Sequence, residues 1–172
     1  DQTRARVEPA RTILDLKGEP VYRPRPFSFS FEFITHEGIE KGLIGDRVPE
    51  SVVAARCDVA QADGAVWPDR ARKFLNDYFL DLGRLRAAGD WVDPDGTFSI
   101  AVPGRYIVLD DKGPVAGTID GVAYNTPRDL TAGDHKFFGS KPGQRYAVLW
   151  APEFERGFSP FHLQDRCFRH RG

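Results

Sequence analysis

The chain has no methionine, only two cysteines, four histidines, no apolar run approaching a membrane span and almost no net charge. Each scarcity excludes something. A formal net charge of −1 over 172 residues leaves no nucleic-acid footprint spread across the domain. Arg4, Arg6 and Arg11 near the start are interleaved with acids and read as a solvated face. Arg166, Arg169 and Arg171 read as a basic tail. No run reaches the roughly 20 apolar residues that cross a bilayer, and no signal peptide opens the chain. Without a methionine even at position 1, the chain reads as a piece of a longer one, so any membrane contact is expected through a segment outside it.

Cys57 and Cys167 occur in no CxxC and in no paired Cys/His spacing, so neither a zinc site nor any other metal is expected. They are a candidate disulfide, closing a loop of about 110 residues for roughly 4–5 kcal/mol in the chain-entropy model. Two buried thiols fit the spacing equally well. Phosphate loops are missing: Gly42-Leu43-Ile44-Gly45 lacks the Lys-Ser/Thr sequel, no GxGxxG follows a strand, and no cofactor is expected. Gly157-Phe158-Ser159-Pro160-Phe161 is half of a nucleophile elbow, with proline where the helix should begin. Among the scattered histidines, Asp134-His135 is the best metal candidate and reads better as a surface pair continuing a turn. Asp90, Asp93 and Asp95 with Gly96 fail the EF-hand spacing. Asp110, Asp111, Asp120 and Glu153 are available for carboxylate chemistry, but nothing singles out a pair.

What the chain has is apolar residues and turn chemistry. Hydrophobic residues make up 41 % of it, with 13 Phe, 17 Gly and 13 Pro. From Asp93 to Trp150, short apolar runs alternate with turns: Pro94-Asp95-Gly96, Pro103-Gly104, Asp110 to Pro114, Asn125-Thr126-Pro127 and Lys141-Pro142-Gly143. This pattern predicts a mainly β fold, an antiparallel β-sandwich of jelly-roll or Ig-like type with one amphipathic α-helix packed on it. Residues 1–172 are expected to form one domain. Residues 1–26 read as an extended lead-in containing a short edge strand at 12–16. Residues 27–33, with Phe at every second position, predict a strand with one face in the core. A loop at 36–50 precedes a strand at 51–59. The helix is expected over 68–88, with Leu75, Tyr78, Phe79, Leu82 and Leu85 on one face and Gly89 as its stop. The strand-rich core spans 93–150, and 157–163 predicts a final edge strand.

Sugar sites pair an aromatic face with polar groups for the hydroxyls. Trp67, Trp91, Tyr124 and Asn125 are the candidate ligand-binding residues, and Tyr124-Asn125, at an expected loop mouth, is the least core-like. No catalytic residue can be assigned.

The stretch from Gly104-Arg105-Tyr106-Ile107-Val108-Leu109 through Ile119-Asp120-Gly121 to Thr126-Pro127 and Ala132-Gly133-Asp134-His135 resembles a PEGA-like β-sandwich module, in which a strand carrying Ile-Asp-Gly leads to a strand pair. Such a module stands at the extracytoplasmic C-terminal end of bacterial multi-pass membrane glycosyltransferases of the protein-mannosyltransferase-like superfamily, and residues 78–92 resemble those tails too. The resemblance implies a non-catalytic, extracytoplasmic (periplasmic or cell-surface) accessory domain of an enzyme acting on cell-envelope glycans, with a glycan or protein partner. A free-standing carbohydrate- or protein-binding module and a small sandwich-fold hydrolase are the alternatives.

Overall fold

The computed structural model describes residues 13–14, 37–39, 41–61, 67–83, 85–141 and 143–162. The Phe strand at 27–33 and most of the lead-in lie outside these. Two sheets carry the fold. The larger contains β1 (Ile13–Leu14), β2 (Val59–Gln61), β3 (Phe79–Asp81), β4 (Leu85–Trp91), β6 (Gly104–Asp110), β7 (Gly113–Pro114), β10 (Arg128–Leu130) and β12 (Ala147–Trp150). Its order is β1-β2-β4-β12-β6-β10, with β3 also on β4 and β7 also on β6. The smaller sheet runs β5 (Thr97–Ile100), β11 (Gly133–Gly139), β8 (Gly117–Ile119), β9 (Val122–Tyr124). Among the described residues all pairings are antiparallel except β1 with β2. The mainly β, antiparallel class read from the sequence is therefore the class of the molecule.

The strands at 93–150 follow their local chemistry. Along β5, Phe98 and Ile100 are buried while Thr97 and Ser99 are partly exposed, the period-two pattern of a strand with one face in the core. The central strands β6 and β12 differ: Tyr106 to Asp110 and Ala147 to Leu149 are buried without interruption. Both faces of the large sheet are covered. One core joins Ala88, Val108 and Val148 to Phe98, Ile100, Ile119 and Phe137 of the small sheet. A second packs Ile107, Leu109, Ala147 and Leu149 against α3 (Ala151–Glu155), Phe158 and Phe161. The look-alike segments Arg105-Tyr106-Ile107-Val108-Leu109 and Arg145-Tyr146-Ala147-Val148-Leu149 contribute these neighbouring strands, with Val148 opposite Val108. Burial on both faces accounts for their common apolar pattern.

Three expectations are corrected. The helix over 68–88 is instead α2 (Asp69–Tyr78), followed at once by the β3–β4 hairpin. The Asp81 carboxylate accepts the Gly83 N–H at 2.7 Å, and Gly83 takes φ +96°, which turns the chain back. Gly89 does not end a helix. It lies inside β4, where a Cβ would stand 2.2 Å from the Val148 carbonyl oxygen. The strand expected at 51–59 is instead the end of α1 (Val48–Ala54) followed by a turn, with only Val59 in β2; α1 is begun by Pro49 in its first turn and by Asp46, which accepts the Val48 N–H at 3.1 Å. The expected strand at 157–163 is, through His162, a turn after α3.

Candidate functional site

The segment Ile119-Asp120-Gly121, read above as part of a strand, is the tip of the β8–β9 hairpin. Asp120 adopts φ +51° and Gly121 φ +77°, the pairing that a tight two-residue hairpin turn favours. Asp120 also crosses to β11. Its Oδ1 accepts the Lys136 N–H at 2.8 Å, and its Oδ2 lies 2.7 Å from His135 Nδ1. His135 Nε2 lies 3.0 Å from the Thr131 carbonyl oxygen. Both partners of the ring are acceptors, so both bonds form only when the imidazole is doubly protonated. Burial opposes that charge, but the Asp120 and Thr131 bonds outweigh it and raise the His135 pKa. For Asp120 too, burial works against the ion, and the bonds from His135 and Lys136 prevail and lower its pKa. The ring stacks on Phe98, with centroids 5.5 Å apart. This is a structural latch between hairpin and sheet. Asp134 is turned elsewhere, accepting the Ser99 hydroxyl at 2.6 Å.

The other carboxylates are engaged similarly. Asp110 accepts the Lys112 and Gly113 N–H groups at its hairpin tip, Asp111 accepts the Gln144 amide at 3.0 Å, and Glu153 pairs with Arg156 at 2.6 Å. Asp90 accepts the Ser99 N–H at 2.8 Å, covering a donor on edge strand β5, and burial raises its pKa. Among the described residues no three His, Cys, Asp or Glu side chains are grouped to hold a metal ion. Cys57 is fully buried, its Sγ 3.3 Å from the Val59 carbonyl oxygen. Cys167 lies outside the described residues, and so does any bond between the two.

The four candidate ligand-binding residues do not converge. Trp67 is 6 % exposed and sits in the core with Val52, Ala71 and Leu75. Tyr124, expected at a loop mouth, is 4 % exposed, packs edge-on to Phe137 and accepts the Val108 N–H through its hydroxyl at 2.8 Å. That bond satisfies a β6 donor just beyond the end of β10, so Tyr124 ties the sheets together. Asn125 is exposed on the β9–β10 loop, outside the groove described below.

Trp91, at the end of β4, borders a cavity of about 640 Å³ between the β4–β5 turn and the loop that joins β11 to β12. Gly96 (φ +88°) lets the turn approach β11: its carbonyl accepts the Phe137 N–H at 2.8 Å, and a Cβ there would lie 2.7 Å from the Phe137 oxygen. The loop is held at two points. The Tyr146 hydroxyl donates to the Lys141 carbonyl at 3.1 Å, and the Gln144 amide donates to Asp111. Phe138, 56 % exposed, offers an open ring at the rim. The Trp91 ring is covered: the Arg145 guanidinium carbon stands 3.6 Å above its centroid, and Phe161 meets it edge-on at 5.1 Å. Sequence reasoning missed Phe138 and Arg145. The Phe137-Phe138 pair carried a partial signal, because two adjacent residues of one strand face opposite sides; only the lack of a covering layer among the described residues on that side of β11 leaves Phe138 exposed.

Comparison with known proteins finds no matching family model, no matching curated protein and no matching solved structure.

Proposed function

We propose that this chain is a non-catalytic accessory domain that binds glycan in the groove between the β4–β5 turn and the β11–β12 loop. The observation that carries the reading is the groove itself, about 640 Å³, with the exposed Phe138 ring at its rim and Gln144, Lys141 and Arg145 along its wall. An open aromatic face packs against sugar C–H groups while polar side chains take the hydroxyls. The resemblance of residues 104–137 to a PEGA-like module extends the proposal: the domain is the extracytoplasmic tail of a membrane-embedded glycosyltransferase acting on cell-envelope glycans. None of the helices among the described residues is long and apolar enough to cross a membrane, so in this reading the anchor belongs to another part of the protein.

Two measurements test it. Titration with cell-envelope oligosaccharides, followed by Trp91 fluorescence and amide NMR shifts, is expected to move signals of 91–96 and 137–146. Phe138→Ala is expected to weaken binding while leaving the thermal midpoint unchanged. Shifts spread evenly over the surface, or affinity indifferent to Phe138, would remove the glycan reading. For the anchor, a parent gene without apolar spans upstream of Asp1 would remove the glycosyltransferase reading alone.

A further inference from the structure

We infer, building on the glycan reading above, that the groove's ligand carries an anionic group, a carboxylate or a phosphate on the sugar, and that Arg145 is the residue that reads it. Among the described residues the groove is lined by two cations, Lys141 and Arg145, against one acid, Asp93. Arg145 is exposed, and no acid among the described residues takes its N–H donors; its contact is the face of Trp91 at 3.6 Å. Stacking of that kind holds the planar guanidinium in place and leaves its edge free to meet two oxygens at once, so little side-chain freedom remains to be lost on binding. The backbone that carries both cations is already held, by the Tyr146 hydroxyl at Lys141 and by Asp111 at Gln144, next to Arg145. Trp91 therefore acts as a positioning residue beneath Arg145, and the sugar ring packs on Phe138.

The test is calorimetric titration of the whole chain with three probes of equal length: an oligogalacturonate, a phosphorylated oligosaccharide and the neutral oligosaccharide. One or both charged probes are expected to bind more tightly than the neutral one, and which of them does so identifies the oxyanion. Arg145→Ala is expected to weaken the charged probe by about tenfold. Arg145→Lys, which keeps the charge and loses the fork, should fall between. Asp93→Asn removes the opposing charge and should tighten binding by about twofold, an advantage that shrinks as salt rises. Trp91→Phe keeps an aromatic ring and should weaken the charged probe alone. All these positions except Trp91 are exposed, and a melting curve for each variant checks the fold. Equal binding of neutral and charged probes, with Arg145→Ala silent, would overturn the inference and leave the glycan groove standing. Failure of every saccharide to bind would overturn both.

Discussion

At Asp120 the backbone and the side chain depend on each other. The left-handed conformation of a non-glycine residue is tolerated because Asp suits such turns, and the carboxylate it presents is spent on Lys136 and His135. The latch should be visible in the pH dependence of stability. His135 has a raised folded pKa, so its contribution is complete below the unfolded value near 6.5 and is lost as pH rises through the raised one. Asp120 has a lowered folded pKa, so its contribution is complete above the unfolded value near 3.8 and is lost as pH falls through the lowered one. The pair is therefore worth most between those two unfolded values. Thermal melts from pH 4 to 8 are expected to show wild type losing stability above pH 6.5 while His135→Gln stays flatter. Because Asp120 is half exposed, the difference at pH 5.5 should be only about 1 kcal/mol. Gly104 is a second residue-scale case. A Cβ there would fall 1.9 Å from the Trp150 ring, itself packed edge-on to Tyr106. Gly104→Ala should destabilise by about 1–3 kcal/mol in urea unfolding, the range for an overfilled site.

At the scale of elements, the turn from α2 into β3 separates what was legible from what was not. Leu75, Tyr78, Phe79, Leu82 and Leu85 fit a helical period, and the true helix does bury Ala71 and Leu75. The period fails beyond Tyr78 because Phe79 and Leu80 are both buried, one toward each core. A short apolar run buried on both sides has no period to read. Most strands at 93–150 were legible because a turn residue closes them, whereas β8 and β9 were read as one strand because the Asp120-Gly121 turn lies inside an apolar run. The central strand β12 should bear the heaviest loss: Leu149, fully buried, should cost about 2–5 kcal/mol when cut to Ala, measured by chemical denaturation. Asp90 has the opposite sign to Asp120. Burial raises its folded pKa, so its charge works against the fold as pH rises through that value. Asp90→Asn keeps an acceptor for Ser99 and should raise the melting temperature at pH 7 but not at pH 3.

The whole molecule depends on groups that join the sheets. Tyr124→Phe removes the acceptor of the Val108 N–H and should destabilise by about 1–3 kcal/mol while leaving groove titrations unchanged. A loss of ligand affinity instead would return Tyr124 to the site. Of the candidate ligand residues, Trp91 alone borders the groove, and there it carries Arg145 in place of a sugar. Residue type identified aromatics suited to a glycan, yet type does not say which rings the core will claim.

The sequence by itself determined the mainly β class, most of the strands and turns from Asp93 to Trp150 and the start of α2, because each depends on neighbours within a few residues. The tertiary structure decided where α2 stops, which strands are covered on both faces, and that Trp67 and Tyr124 go inside while Phe138 stays out. It also brought Arg145 onto Trp91, 54 positions away in sequence. These outcomes turn on burial against distant partners, and such partners leave no period and no motif in the local chain.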